Sequence, residues 1–312
     1  MSDSCSCTSK YENSGLTSCI GALIKVSRRI IMVPKYADDG TLNKVATGTP
    51  FNSAFVTALI NNADRSKRWY PLPKHVGAEI TKSESTFETH SDNSKSFIHE
   101  GVSSFKAAYP DMQPFYLKVL KSGRCTDMAC YIVDKAGALV GLSNGEENVL
   151  YPFALNRNTT DAIYMFATDT TTSKINLSFE FDTDQMDEQI TKIDSSDMVS
   201  VNLLASSYDG LYDAIKSQTS TGIAAMVFKL YAQSGSAASP VAITGLTAPS
   251  FALYNVTDIA AVTVLTAVES TTVPGTYTLT YANQTPADVI RITPTKTGVD
   301  FTDVIAATAT VV

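Results

Sequence analysis

Residues 77–105 read Gly77-Ala78-Glu79-Ile80-Thr81-Lys82-Ser83-Glu84-Ser85-Thr86-Phe87-Glu88-Thr89-His90, then Ser91-Asp92-Asn93-Ser94, then Lys95-Ser96-Phe97-Ile98-His99-Glu100-Gly101-Val102-Ser103-Ser104-Phe105. Thr, Ser and aromatic residues favour extended backbone, and Ser-Asp-Asn-Ser is turn chemistry, so the stretch predicts a long two-stranded arm. It holds too few large apolar side chains to bury a face of its own, and a lone hairpin in water is marginal. The arm is therefore expected to dock on a second copy of the chain, where ladder hydrogen bonds supply the affinity that apolar area cannot. Glu84, Phe87, His90, Asp92, Phe97 and His99 are the side chains expected at that inter-subunit contact. The bland alternative is a surface hairpin lying on its own domain.

The segment after the arm is better specified. Asp111 is a candidate cap for a helix running to Ser122, Pro114 sits in its first turn where a missing N–H does no harm, and Gly123 ends it. Phe115, Tyr116, Val119 and Leu120 form an apolar stripe at helical spacing, and Lys118, Lys121 and Arg124 suit the negative end of the helix dipole. Cys130 to Val133 and Leu139 to Leu142 then flank Asp134-Lys135-Ala136-Gly137-Ala138, which reads as a tight hairpin.

Working outward, Leu23 to Val33 predicts a strand stopped by Pro34, and Asn52 or Ser53 caps a helix with Phe55, Val56, Leu59 and Ile60 inward. Trp69 is expected to anchor packing. Gly145 to Thr160 reads as an irregular connection, and Ile163 to Phe166 as a strand. Lys174 to Asp182 alternates cleanly, with Ile175, Leu177, Phe179 and Phe181 toward a core and Lys174, Asn176, Ser178, Glu180 and Asp182 toward water. Asp209 to Lys216 predicts a short helix and Ile223 to Ala232 a strand. Gln233-Ser234-Gly235-Ser236-Ala237-Ala238-Ser239-Pro240 has the composition of a linker. Beyond it, short Val, Ile, Thr and Tyr runs recur at the interval of a small sandwich, without Cys or Trp.

The expected fold class is thus mainly β (α+β): a β-sandwich or barrel with flanking short helices and a long hairpin arm, followed by a small Ig-like β-sandwich. The expected division is a flexible N-terminal arm over residues 1–20, an assembly-forming body over 21–233, a linker over 234–240 and the second sandwich over 241–312.

Composition narrows the function. Hydrophobic content of 44% with 18% charged residues is ordinary for a chain that buries a sizeable core. The net charge of −7, with no basic run, argues against a surface that grips nucleic-acid phosphates. No apolar run approaches the ~20 residues of a membrane span, and Met1-Ser2-Asp3-Ser4 lacks the basic and apolar parts of a secretory signal, so a cytoplasmic product is expected. Five cysteines fit reduced thiols better than a disulfide framework; Cys5, Cys7 and Cys19 lack a fourth ligand for zinc.

Motifs for catalysis are missing: no nucleophile elbow, no Gly-rich phosphate loop, no His-Glu-x-x-His. Of His75, His90 and His99, the last two are candidates to face each other across the arm as a pH-sensitive or metal-binding pair, with solvated histidines as the plainer reading. The acidic run Glu180-Phe181-Asp182-Thr183-Asp184-Gln185-Met186-Asp187-Glu188 resembles a calcium loop but lacks the turn-forming Gly. Its electrostatic reading is a strand whose Glu180, Asp182 and Asp184 face enclosed solvent and keep like-charged DNA from sticking.

Arm, helix, alternating strands, small-residue linker and a module carrying Pro274-Gly275-Thr276-Tyr277-Thr278-Leu279-Thr280-Tyr281 together resemble the tail-tube (major tail) proteins of long-tailed bacteriophages. That resemblance implies stacked rings joined by a hairpin reaching the adjacent ring, inner strands lining a DNA channel, and an outer Ig-like domain. The expected role is a non-enzymatic virion structural protein without cofactor, catalytic residue or metal, located in the virion tail after assembly in the host cytoplasm. Its expected partners are itself and other virion structural proteins, with DNA only as non-adhering cargo and no membrane. The alternatives are a capsid decoration or baseplate component, or a cell-surface binding module.

Overall fold

The computed structural model describes residues 24–46, 50–110, 112–143, 148–182, 189–235, 240–305 and 308–312. The fold is mainly β, with two compact units, Met1–Asp209 and Gly210–Val312. The N-terminal segment 1–20, Asp111, Asp184 and the Cys5, Cys7 and Cys19 trio lie outside the described residues.

In the first unit, two antiparallel sheets face each other. One runs in the order Ile190–Ile193, Leu139–Leu142, Met128–Asp134, Ser27–Pro34, Tyr70–Pro71. The other runs Asp161–Met165, Lys174–Glu180, Ser103–Pro110, Val76–Lys82. Ile30, Cys130, Ile132, Val140 and Leu142 from the first meet Phe105, Ala107, Tyr109, Ile175, Leu177 and Phe179 from the second in one core. The Lys174–Glu180 strand alternates as its sequence requires, with Ile175, Leu177, Phe179 and then Phe181 buried.

Continuous apolar runs have a different cause. Cys130-Tyr131-Ile132-Val133 is buried on both faces because the first sheet is also covered on its far side. There Trp69 stacks at 5.3 Å on Tyr131 and 6.4 Å from Phe51, beside Val56 and Ile60 of the helix Ser53–Ile60. Asn52 caps that helix by accepting the Phe55 N–H at 2.9 Å. The turn after Asp134 is held by its buried carboxylate, which accepts the N–H groups of Ala136 (2.8 Å) and Ala138 (3.0 Å), while Gly137 supplies the positive φ of 85°.

The helix after the arm is shorter than its sequence suggests, Tyr116–Ser122, and Phe115 precedes it without a side-chain cap. Leu117, rather than Val119, packs with Tyr116 against the core, leaving Val119 exposed. The connection 145–160 is partly ordered, with Phe153–Ala154 pairing to Met128–Asp134 and Tyr151 bridging Leu142.

The second unit is also a sandwich, and here two expectations are corrected. Residues 209–216 are not helical: a 3-10 turn, Ser206–Tyr208, precedes the strand Tyr212–Thr221. That strand and Ala225–Gly235 are the middle of the sheet Val264–Glu269, Thr276–Tyr281, Ala225–Gly235, Tyr212–Thr221, Val299–Asp300. The division therefore falls at 209/210, and the segment read as a linker joins two paired strands, Ala225–Gly235 and Pro240–Ala242. The body 21–233 and module 241–312 would cut this sheet through its centre. The opposing sheet runs Ala260–Val262, Phe251–Asn255, Val289–Pro294, Thr308–Thr310, and Phe228, Leu230, Tyr277, Leu279, Leu253 and Ile292 fill the space between.

Candidate assembly surfaces

The arm leaves the second sheet at a defined root. Val76–Lys82 and Ser103–Pro110 pair within the body, and Thr86–Thr89 and Lys95–His99 then form a separate two-stranded sheet. At the root, Ser83 N–H donates to Val102 O (3.0 Å), Val102 N–H donates to Ser83 Oγ (2.8 Å), and Lys82 Nζ pairs with Glu100 (3.0 Å). Gly101 lies so close to the returning strand that a Cβ there would overlap the Ser83 carbonyl oxygen. At the tip, Asp92 accepts the backbone N–H (2.9 Å) and hydroxyl (2.6 Å) of Ser94, which lower its pKa, and Asn93 takes a φ of 64°.

Every residue of both arm strands is exposed. Phe87 and Phe97 are cross-strand partners, edge to face at 5.8 Å, yet stay 51% and 59% exposed; Ile98 is 55% exposed. Glu84 lies in the bend between root and arm. The histidines do not form a pair: His99 sits opposite Thr86, and His90 donates its backbone N–H to Ser94 O and places Nε2 2.7 Å from Ser96 Oγ. Thr86 and His90 are four residues apart along one strand, roughly 13 Å.

The solvent face of the second sheet is small and polar rather than uniformly acidic. Glu180 is half-buried, accepting from Asn156 Nδ2 at 3.4 Å, and Asp182 pairs with Lys35 at 3.3 Å. Register places Ser178 beside Lys106, and Lys106 beside Glu79. Ser104, Ala108, Asn176 and Ser178 fill the rest, so acidic and basic groups alternate across the sheet. The calcium-loop reading of the acidic run falls on residues 183–188, which lie outside the described ones. Among the described residues, no group of three His, Cys, Asp or Glu side chains is placed to hold a metal ion, and no helix is long and apolar enough to cross a membrane.

Three features of the first unit escaped sequence reasoning. The first is a groove of about 700 Å³ between the two sheets and the helix Tyr116–Ser122, its floor made by Leu72, Leu177 and Phe179 and its walls by Met32, Val119 and Leu120. The second is Arg29, a buried strand residue whose guanidinium donates to Leu72 O (2.9 Å) and Leu203 O (2.8 Å) and pairs with Asp209. The third is His75, fully buried, with Nε2 2.9 Å from Ser27 Oγ and its ring against the edges of Phe105 and Tyr109. Burial pushes its pKa down to about 4, helped by the nearby Arg28 charge. A Ser27 hydroxyl and two aromatic neighbours distant in sequence carry no motif that would have singled it out.

No protein-family model, curated protein or solved structure matches the chain.

Proposed function

We propose that this chain is a structural subunit that polymerises through its arm, and that it builds the tail tube of a long-tailed bacteriophage. One observation carries the reading: the hairpin over residues 86–99 is a sheet of its own whose strands are exposed throughout, aromatic pair included. Isolated two-stranded hairpins are marginal in water, and exposed Phe, Phe and Ile side chains gain free energy when covered. A second copy of the chain is the cover. The polar outer face of the second sheet suits a channel wall, since its short, charge-balanced side chains offer DNA little to hold. The second sandwich serves as an outer decoration.

The test is replacement of residues 84–101 by an Asn-Gly turn joining Ser83 to Val102, which keeps the root pairing and removes the arm. Circular dichroism and thermal unfolding are expected to match the native chain, because the arm contributes nothing to either core. Electron microscopy is expected to show tubes or rings for the native chain and none for the variant. A variant that polymerises normally would reduce the arm to a passive loop, and rings that never stack would favour a decoration or baseplate role.

A further inference from the structure

We infer that the groove beside the helix Tyr116–Ser122 is the receptor for the arm of a second copy, taking the Phe87–Phe97 pair as its occupant. This rests on the reading of the chain as a self-assembling subunit, and it names the surface on which that assembly acts. Two apolar surfaces of the first unit lack a cover: a projecting aromatic pair and a concave floor of Leu72, Leu177 and Phe179. At about 700 Å³ the groove lies within the roughly 300–1,000 Å³ of clefts that engulf a body of several rings.

Charge agrees with shape. Lys118 and Lys121 are exposed on the helix that forms one wall, and neither has an ion-pair partner among the described residues. Glu84 and Glu88 flank Phe87 on the arm, and they too lack one among the described residues. Basic groups beside a groove and acidic groups beside its occupant fix the register of docking and hasten encounter. Area requires the arm strands as well as the ring pair, since a stable contact buries about 800 Å² per partner and two half-exposed phenyl groups offer roughly 200 Å². The arm supplies the remainder along its length, at most about 30 Å from root to tip.

The experiment uses the full chain and four variants: Lys118→Glu with Lys121→Glu, Glu84→Lys with Glu88→Lys, all four together, and the arm replacement above. All four charges are exposed, so circular dichroism should be unchanged. Sedimentation velocity is expected to show each charge-reversed pair weakening association about tenfold or more, and the four-fold swap restoring it. In parallel, a photo-reactive benzophenone side chain at position 87, in a mixture of isotopically light and heavy copies, is expected to give heavy-to-light cross-links on residues 117–128. Loss of assembly on arm replacement, with no rescue by the swap and cross-links elsewhere, would overturn the groove as receptor while leaving arm-driven assembly intact. Native association by the arm-replaced chain would overturn the assembly reading itself.

Discussion

At the scale of single residues, the informative positions are those where a polar group or a missing side chain is enclosed. His75 is neutral in the fold because burial disfavours its charged form, lowering its pKa from 6.5 to about 4. The unfolded chain therefore binds a proton between those values that the folded chain does not. Stability from this group is fully present above pH 6.5 and is lost as pH falls toward 4, a change on the order of 3 kcal/mol. Denaturant midpoints measured from pH 7 to 4 should fall steeply in the native chain and more shallowly in His75→Leu. Gly101 acts by what it lacks. In Gly101→Ala the new methyl must displace the Ser83 carbonyl, at a cost of about 1–3 kcal/mol confined to the root. The expected outcome is unchanged global unfolding, faster amide exchange at Ser83 and Val102, and loss of assembly.

Elements show where periodicity is a reliable guide and where it is not. The Lys174–Glu180 strand was legible because a one-residue slip would expose Ile175, Leu177, Phe179 and Phe181, at about 1.5–3 kcal/mol each. The same alternation holds Glu180 and Asp182 on the solvent side, where Asp182 already has Lys35 as a partner. Glu180→Lys with Asp182→Lys should cost no more than about 1 kcal/mol, since exposed ion pairs contribute little. Assembled tubes of that variant are expected to retain DNA in a filter-binding assay where native tubes do not. Equal retention by both would remove the charge account of the face. Residues 209–216 misled because Leu211 and Ile215 have helical spacing, whereas the strand Tyr212–Thr221 is imposed by long-range pairing with Ala225–Gly235.

For the whole molecule, the two units carry the main correction. Small residues around Ser234 to Ser239 have the composition of a linker, but composition cannot reveal that the chain returns to the strand it has just left. Gly210–Val312 expressed alone is expected to unfold cooperatively and give dispersed amide spectra. A fragment starting at Val241 should not fold, because it lacks Phe228 and Leu230 and the two central strands of the sheet they belong to. A cut at 236–239 should leave both pieces associated. A folded Val241 fragment would restore the linker boundary.

The β-rich class, the arm and its turn, the tight hairpin at Gly137 and the inward face of Lys174–Glu180 were all decided by sequence alone. Each depends on near neighbours: turn residues, alternation and local propensity act over a few positions. Only the tertiary structure decided the unit boundary, the enclosure of Arg29 and His75, the mixed charge around Glu180 and the groove beside Leu120. These depend on which distant segments meet, because burial and pairing are properties of the folded neighbourhood rather than of the residue.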